Sequence, residues 1–182
     1  MKLCMFSPAG SEVLERGWPA RIEIEDARVI QLAAQTLQAF FTGGGQAREH
    51  AEYPLAEVVF RAPVLHPPSV RIFDDGDFRF ANPAAIRAAD EIVSVPEGAG
   101  AIVPVQRHAA IVGLEGAIGG FTPLVEWVAS DLAGAKARDF ALSLGPIVVT
   151  PDEETPPGID WERLVAHAAA NTILYPGDLV AA

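Results

Sequence analysis

Apolar and charged residues alternate from Arg21 to Glu25, with Ile22 and Ile24 set against Glu23 and Glu25, and this period of two predicts a half-buried strand. Asp26-Ala27 then reads as a hairpin turn into a second strand, Arg28 to Leu32, and the apolar run Lys2 to Phe6 predicts a strand ahead of both. From Leu32 to Phe41 the apolar spacing becomes helical, and Gly43-Gly44-Gly45 stops the helix by removing side chains and helix propensity together. The stretch 119–153 has a different grammar. An aromatic-bearing segment ending in acids is followed by a Gly/Ala/Lys/Arg turn, a Leu-Gly-Pro corner and a β-branched run, Ile147 to Thr150, closed by Pro151. That order predicts a short helix or turn delivering polar groups to a site, then a buried strand. Gly158 to Ala170 predicts an amphipathic helix with Asp160 as N-cap, Trp161, Leu164, Val165 and Ala168 on its inner face and Asn171 as C-cap. His167 lies near its C-terminal turn, where the helix dipole favours a protonated imidazole.

Pro63, Pro67 and Pro68 mark a boundary, because proline fixes φ and pushes its predecessor toward extended backbone. The expected organisation is a small α+β module over 1–66 and a larger module over 67–182. A chain of 182 residues, half of them hydrophobic, can bury a core. No run of about 18 apolar residues is present, so no spanning helix is expected, and the apolar part of the first eight residues is too short for a signal peptide. The expectation is a cytoplasmic protein. Cys4 has no partner cysteine and reads as a small buried hydrophobe in the first strand.

A formal net charge of −11 with scattered basic residues argues against nucleic acid and against a polybasic membrane contact. The triple glycine closes a helix instead of opening one after a strand, so it is not read as a phosphate loop. Glu49-His50-Ala51-Glu52 is read as a solvated face, and no G-x-S-x-G elbow occurs anywhere.

Phe121-Thr122, Trp127, Ala129, Asp131-Leu132, Lys136, Asp139-Phe140 and Ser143 to Pro146 fall, without a gap, in register with a motif of the fumarylacetoacetate hydrolase superfamily, which this chain resembles. Val64 to Arg71, Phe80 to Ile86, Asp90 to Pro96 and Tyr175 to Val180 extend the resemblance over most of the sequence, most strongly from Pro67 to Glu153. It implies a mixed, β-rich α+β fold, usually dimeric. It also implies enzymes that hydrolyse carbon–carbon bonds in acylpyruvates and related diketo acids, or decarboxylate or isomerise similar compounds, with magnesium or manganese holding the 2-oxo acid.

The departures fall on the machinery. Relatives carry a glutamate-x-glutamate pair on a strand, and two carboxylates spaced so face one way and can grip one cation. The aligned positions here are Val105 and Arg107, and the third expected ligand, an aspartate, is Glu126. Arg138 replaces a lysine of the following turn, and His108 falls on the opposite strand face. The interval that carries a long lid with a histidine and a glutamate in relatives is only Ile72 to Arg79. No metal cofactor is therefore expected, although a replacement set of Glu115, Glu126 and Asp131 is conceivable. An Arg107–Glu126 ion pair would account for both substitutions together.

Two readings follow. One is a non-catalytic relative with an eroded metal site, acting as a binding protein or as partner subunit to an intact relative. The other is a metal-independent hydrolase, decarboxylase or isomerase of a small 2-oxo or diketo acid, with Arg107 and Arg138 holding a substrate carboxylate and Glu126 moving protons. Both suit a small carboxylate ligand. A homodimer or a heterodimer is expected, because the C-terminal end leaves strand edges that relatives cover.

Overall fold

The computed structural model describes residues 1–11 and 17–182. Thirteen strands in one mixed sheet and two short helices make up the described chain. Strands β1 (Lys2–Pro8), β2 (Trp18–Glu23), β3 (Arg28–Leu32) and β4 (Glu49–Pro54) form an antiparallel meander, with helix α1 (Leu37–Thr42) between β3 and β4. Strand β5 (Val58–Arg61) returns to pair with β1. After the proline segment, β6 (Val70–Asp74) and β7 (Asp77–Ala81) form a hairpin, followed by the short β8 (Ile86–Ala88). The long hairpin of β9 (Val103–Val112) and β10 (Ile118–Val128) is the spine of the molecule. Strands β11 (Leu142–Leu144) and β12 (Val148–Val149), helix α2 (Trp161–Ala169) and β13 (Leu179–Ala181) complete the chain.

The sheet runs β4-β3-β2-β1-β12-β10-β9-β13-β6-β7, with β11 and then β8 continuing from β10. Its second half curls. The side chain of Arg79 on β7 reaches that of Glu126 on β10, and Asn82 just beyond β7 donates to the carbonyl of Asp139 at 2.9 Å, beside the start of β11. Inside the curl lie Val70, Ile72, Ile86, Ala109, Ile111, Leu124, Leu142, Leu144 and Leu179, all buried in one cluster. The same cluster holds Leu3, Met5, Leu37, Phe40 and Phe41, so residues on both sides of the Pro63–Pro68 segment feed one core. Full burial of each such side chain contributes roughly 1.5–3 kcal/mol, which makes this core the main source of stability. Gly145 shows how closely the parts approach. Its φ is +88°, and a Cβ there would sit 2.6 Å from Cδ of Pro63, so no other residue fits.

Several elements differ from expectation. Strand β2 ends at Glu23, Glu23 pairs with Arg28, and Ile24 lies half exposed in a four-residue turn instead of facing inward. Leu32 belongs to β3, and α1 starts only after Thr36, whose hydroxyl accepts from the Ala39 amide and caps it. Segment 118–128, expected as a short helix or turn, is strand; the short turn that delivers polar groups comes after it, at Gly134–Ala137. The Ile147 to Thr150 run contributes only Val148–Val149 to the sheet. Helix α2 follows its amphipathic pattern, with Asp160 accepting from the Arg163 amide, while Ala170 is the C-cap and Asn171 takes the left-handed position after it, φ 60°. Among the described residues no helix is long and apolar enough to cross a membrane.

Candidate functional site

Alternation along β10 places Thr122, Leu124, Glu126 and Val128 on its buried face, so Glu126 is carried inward by the same period that carries the leucine. It is 0% exposed. A buried carboxylate without partners is very costly, and the fold supplies three guanidinium groups. Arg107 stands on β9 diagonally across from it, since Glu126 faces Val105 and Leu124 faces Arg107 in the ladder. The Arg107 Nε donates to Oε2 of Glu126 at 3.2 Å. Arg138, just past the 134–137 turn, donates from Nη1 to Oε1 at 3.2 Å, and Arg79 of β7 donates from Nη2 to the same oxygen.

The network extends to the β6–β7 hairpin. Arg107 also donates from Nη2 to Asp74 Oδ1 at 2.7 Å and from Nη1 to the Phe73 carbonyl at 3.3 Å, and Arg79 Nε donates to Asp74 Oδ2 at 3.3 Å. Asp75-Gly76 makes the two-residue turn that sets this register, with φ 51° and 92°. Three guanidinium groups thus face two carboxylates, which leaves the cluster one positive charge within a strongly acidic protein.

Burial on its own would raise the Asp74 carboxyl, but Arg107 and Arg79 outweigh it and hold the group below its ordinary range. A carboxyl depressed in the folded state contributes stability that is present above its unfolded pKa and is lost as pH falls through the folded one. Acid unfolding followed by circular dichroism from pH 5 downward is therefore expected to be shallower in Asp74→Asn than in the wild type. An identical acid limb would remove Asp74 from the network.

Of the residues singled out from sequence, Arg107, Glu126 and Arg138 come together, and His108 points to the other face of β9 and is exposed. The replacement cation set does not assemble. Glu115 lies in the β9–β10 turn, about 25 Å of extended strand from Glu126, and Asp131 accepts from the Gly100 amide at 2.6 Å. Glu49 and Glu52 lie on the exposed edge strand β4, paired with Arg21 at 2.6 Å and Arg28 at 2.7 Å, in keeping with a solvated face. Arg79 and Asp74 were missed. The signal was the Asp75-Gly76 dipeptide, because a two-residue hairpin turn there puts Asp74 and Arg79 on one face.

Beside the network opens a cleft of about 280 Å³, whose lining includes Arg79, Phe80, Ala81, Ala135, Arg138 and Asp139. The side chains of Arg79 and Arg138 are 33% and 42% exposed, so both keep N–H groups available to a ligand.

No protein-family model and no curated protein matches the sequence. Solved structures do match in fold over 100% of this chain. Maleylpyruvate hydrolase from Sphingobium sp. SYK-6, in complex with manganese(II) and pyruvate, is similar with a TM-score of 0.74 at 18% identity over 87% of its own length. The 5-carboxymethyl-2-hydroxymuconate delta-isomerase of Mycobacterium smegmatis gives 0.76 at 18% over 87%, and 2-keto-3-deoxy-D-arabinonate dehydratase, complexed with magnesium and 2,5-dioxopentanoate, gives 0.75 at 15% over 86%. The chain shares the mixed, strand-rich α+β fold of these enzymes, the fold that the resemblance of its motifs implied. The donor set at Glu126 does not fit the hard divalent cation of such enzymes. Its one fully buried carboxylate already accepts guanidinium hydrogen bonds on both oxygens, and Val105 and Arg107 offer no oxygen ligand. Among the described residues no group of three or more His, Cys, Asp or Glu side chains is gathered for a metal.

Proposed function

We propose that this protein is a non-catalytic relative of the metal-dependent enzymes that share its fold, and that it binds a small carboxylate in the cleft beside Glu126 without a divalent metal. The observation that carries the reading is the occupation of both Glu126 oxygens by Arg79, Arg107 and Arg138. A general base must present a free lone pair within reach of the proton it takes, and here the lone pairs face guanidinium donors. A cation at the same place would meet three positive groups, and unit charges about 4 Å apart at intermediate dielectric repel by several kcal/mol. What remains chemically is anion recognition. Arginine's planar fork suits carboxylates, and Arg138 spends one N–H on Glu126, leaving the rest of its fork for the cleft. Similarity to a structure holding manganese and pyruvate supports a carboxylate as the ligand class; the donor set supports leaving out the metal.

The reading is tested by linkage. A ligand held only by the native state raises the melting temperature, so magnesium or manganese at millimolar levels is expected to leave it unchanged, whereas pyruvate after EDTA treatment raises it. A metal-dependent rise that disappears in Glu126→Ala, or stoichiometric manganese or magnesium in the dialysed protein, would overturn the proposal and return the chain to metal-assisted chemistry. So would turnover of maleylpyruvate in the absence of metal.

A further inference from the structure

Charge bookkeeping at the cleft narrows the ligand further, and this step rests on the carboxylate-binding reading above. Arg79, Arg107 and Arg138 face Glu126 and Asp74, and Asp139, the other charged residue lining the cleft, is paired with the exposed Lys136 at 2.7 Å. One positive charge is left over. It is not spread evenly. Arg107 is spent on Glu126, Asp74 and the Phe73 carbonyl, with its side chain 10% exposed. Arg79 is held at Nε and Nη2, while Arg138 makes a single bond to Glu126 and is the most exposed of the three.

From this we infer that the site takes a short monocarboxylate, with its carboxylate on Arg138 and the free edge of Arg79 and its tail along Ala135 and Gly134. A second carboxylate on the same ligand would find no unspent cation. It would instead meet the Asp139 side of the cleft or the apolar surface of Phe80 and Ala81, in a protein of net charge −11. Size points the same way. At about 280 Å³ the cleft is at the small end of ligand pockets, which suits a molecule of a few heavy atoms. Arg107 is the fixed internal cation of the arrangement: by neutralising Glu126 it leaves Arg138 free to meet the ligand.

The test uses EDTA-treated full-length protein at low ionic strength, titrated with propanoate, succinate and propanamide. The readouts are the Nε–H signals of ¹⁵N-labelled arginine and calorimetry. Propanoate is expected to shift the Arg138 and Arg79 signals and to bind about tenfold more tightly than succinate, the size of effect of one poorly screened like-charge contact. Propanamide should not bind. Arg138→Gln, at a half-exposed position, is expected to weaken propanoate about tenfold, whereas Arg163→Gln, which removes the same charge from the exposed side of α2, leaves it unchanged. Succinate binding as tightly as propanoate or more so would overturn the monocarboxylate inference while keeping the carboxylate site. Absence of any shift with either acid would remove both. The wild-type arginine signals decide these outcomes even if Arg138→Gln fails to fold.

Discussion

Replacing Glu126 by alanine is expected to be among the most destabilising single changes in this protein, costing about 3–5 kcal/mol and lowering the melting temperature by roughly 10 °C. The change removes the one fully buried carboxylate that balances Arg79, Arg107 and Arg138. Arg79 and Arg138 can turn toward solvent, but Arg107 is nine-tenths buried and cannot. Its charge would then rest on Asp74 alone. Two controls separate this account from a simple packing defect. The double change Arg107→Met with Glu126→Leu is expected to cost less than Glu126→Ala, because it removes the buried charges together and keeps the volume. Formate at tens of millimolar should raise the melting temperature of Glu126→Ala by more than that of the wild type, since the cavity left among three guanidinium groups adds an anion site of that size. Strictly additive losses in the cycle, or equal formate effects on both proteins, would show that Arg107 and Glu126 are not partners.

A second large loss is expected at Asp178, on the far side of the curled sheet. Asp178 is 1% exposed and ties three elements together. Its Oδ1 accepts from Ser69 Oγ at 2.6 Å, its Oδ2 accepts from the Tyr175 amide at 2.7 Å, and Arg71 lies 3.8 Å away. Arg71 is itself buried on β6, stacked over the rings of Phe78 and Phe80 with its guanidinium carbon 5.7 and 5.2 Å from the ring centres. Among the described residues its Nε has no hydrogen-bond partner, so Asp178 and Ser69 are what hold the charge in place. Asp178→Ala is therefore expected to cost about 3–5 kcal/mol in urea unfolding, the range for leaving a buried charge uncompensated. Arg71→Met combined with Asp178→Asn should cost less than Asp178→Ala alone. Methionine fills the space against the two phenylalanines, and the asparagine carbonyl can still accept from Ser69 or Tyr175. A loss within about 1 kcal/mol for Asp178→Ala would mean that solvent reaches Arg71 and that the pair is a surface one.

The elements legible in the sequence are those whose signal is local. Strands β1 and β3 and helix α2 follow from alternation, β-branched content and the Asp160 cap, because burial of one face imposes its period on the residues that build it. The same rule set His108 on the face of β9 opposite Arg107, while the Arg107–Glu126 pair was expected from the family resemblance, which aligns both residues with metal-ligand positions. Where the signal needed a partner, the sequence was silent or misleading. Ile24 fits the alternation of β2 but falls in the turn, because pairing of Glu23 with Arg28 ends the ladder one residue earlier. Leu32 extends a helical pattern but is claimed by the pairing of β3 with β4.

Arg79 and Asp74 belong to the site only because the sheet curls, bringing a strand four places along its order back against β10. That closure is fixed by the packing of leucines, isoleucines and valines from nine strands into one core, and such packing has no period in any single segment. The sequence by itself, through its motifs, singled out Arg107, Glu126 and Arg138 as one site and pointed to the fold able to hold them. How many arginines share Glu126, and hence whether a positive charge is left over for a ligand, was decided by contacts between residues 12 to 47 positions apart, which only the tertiary structure makes.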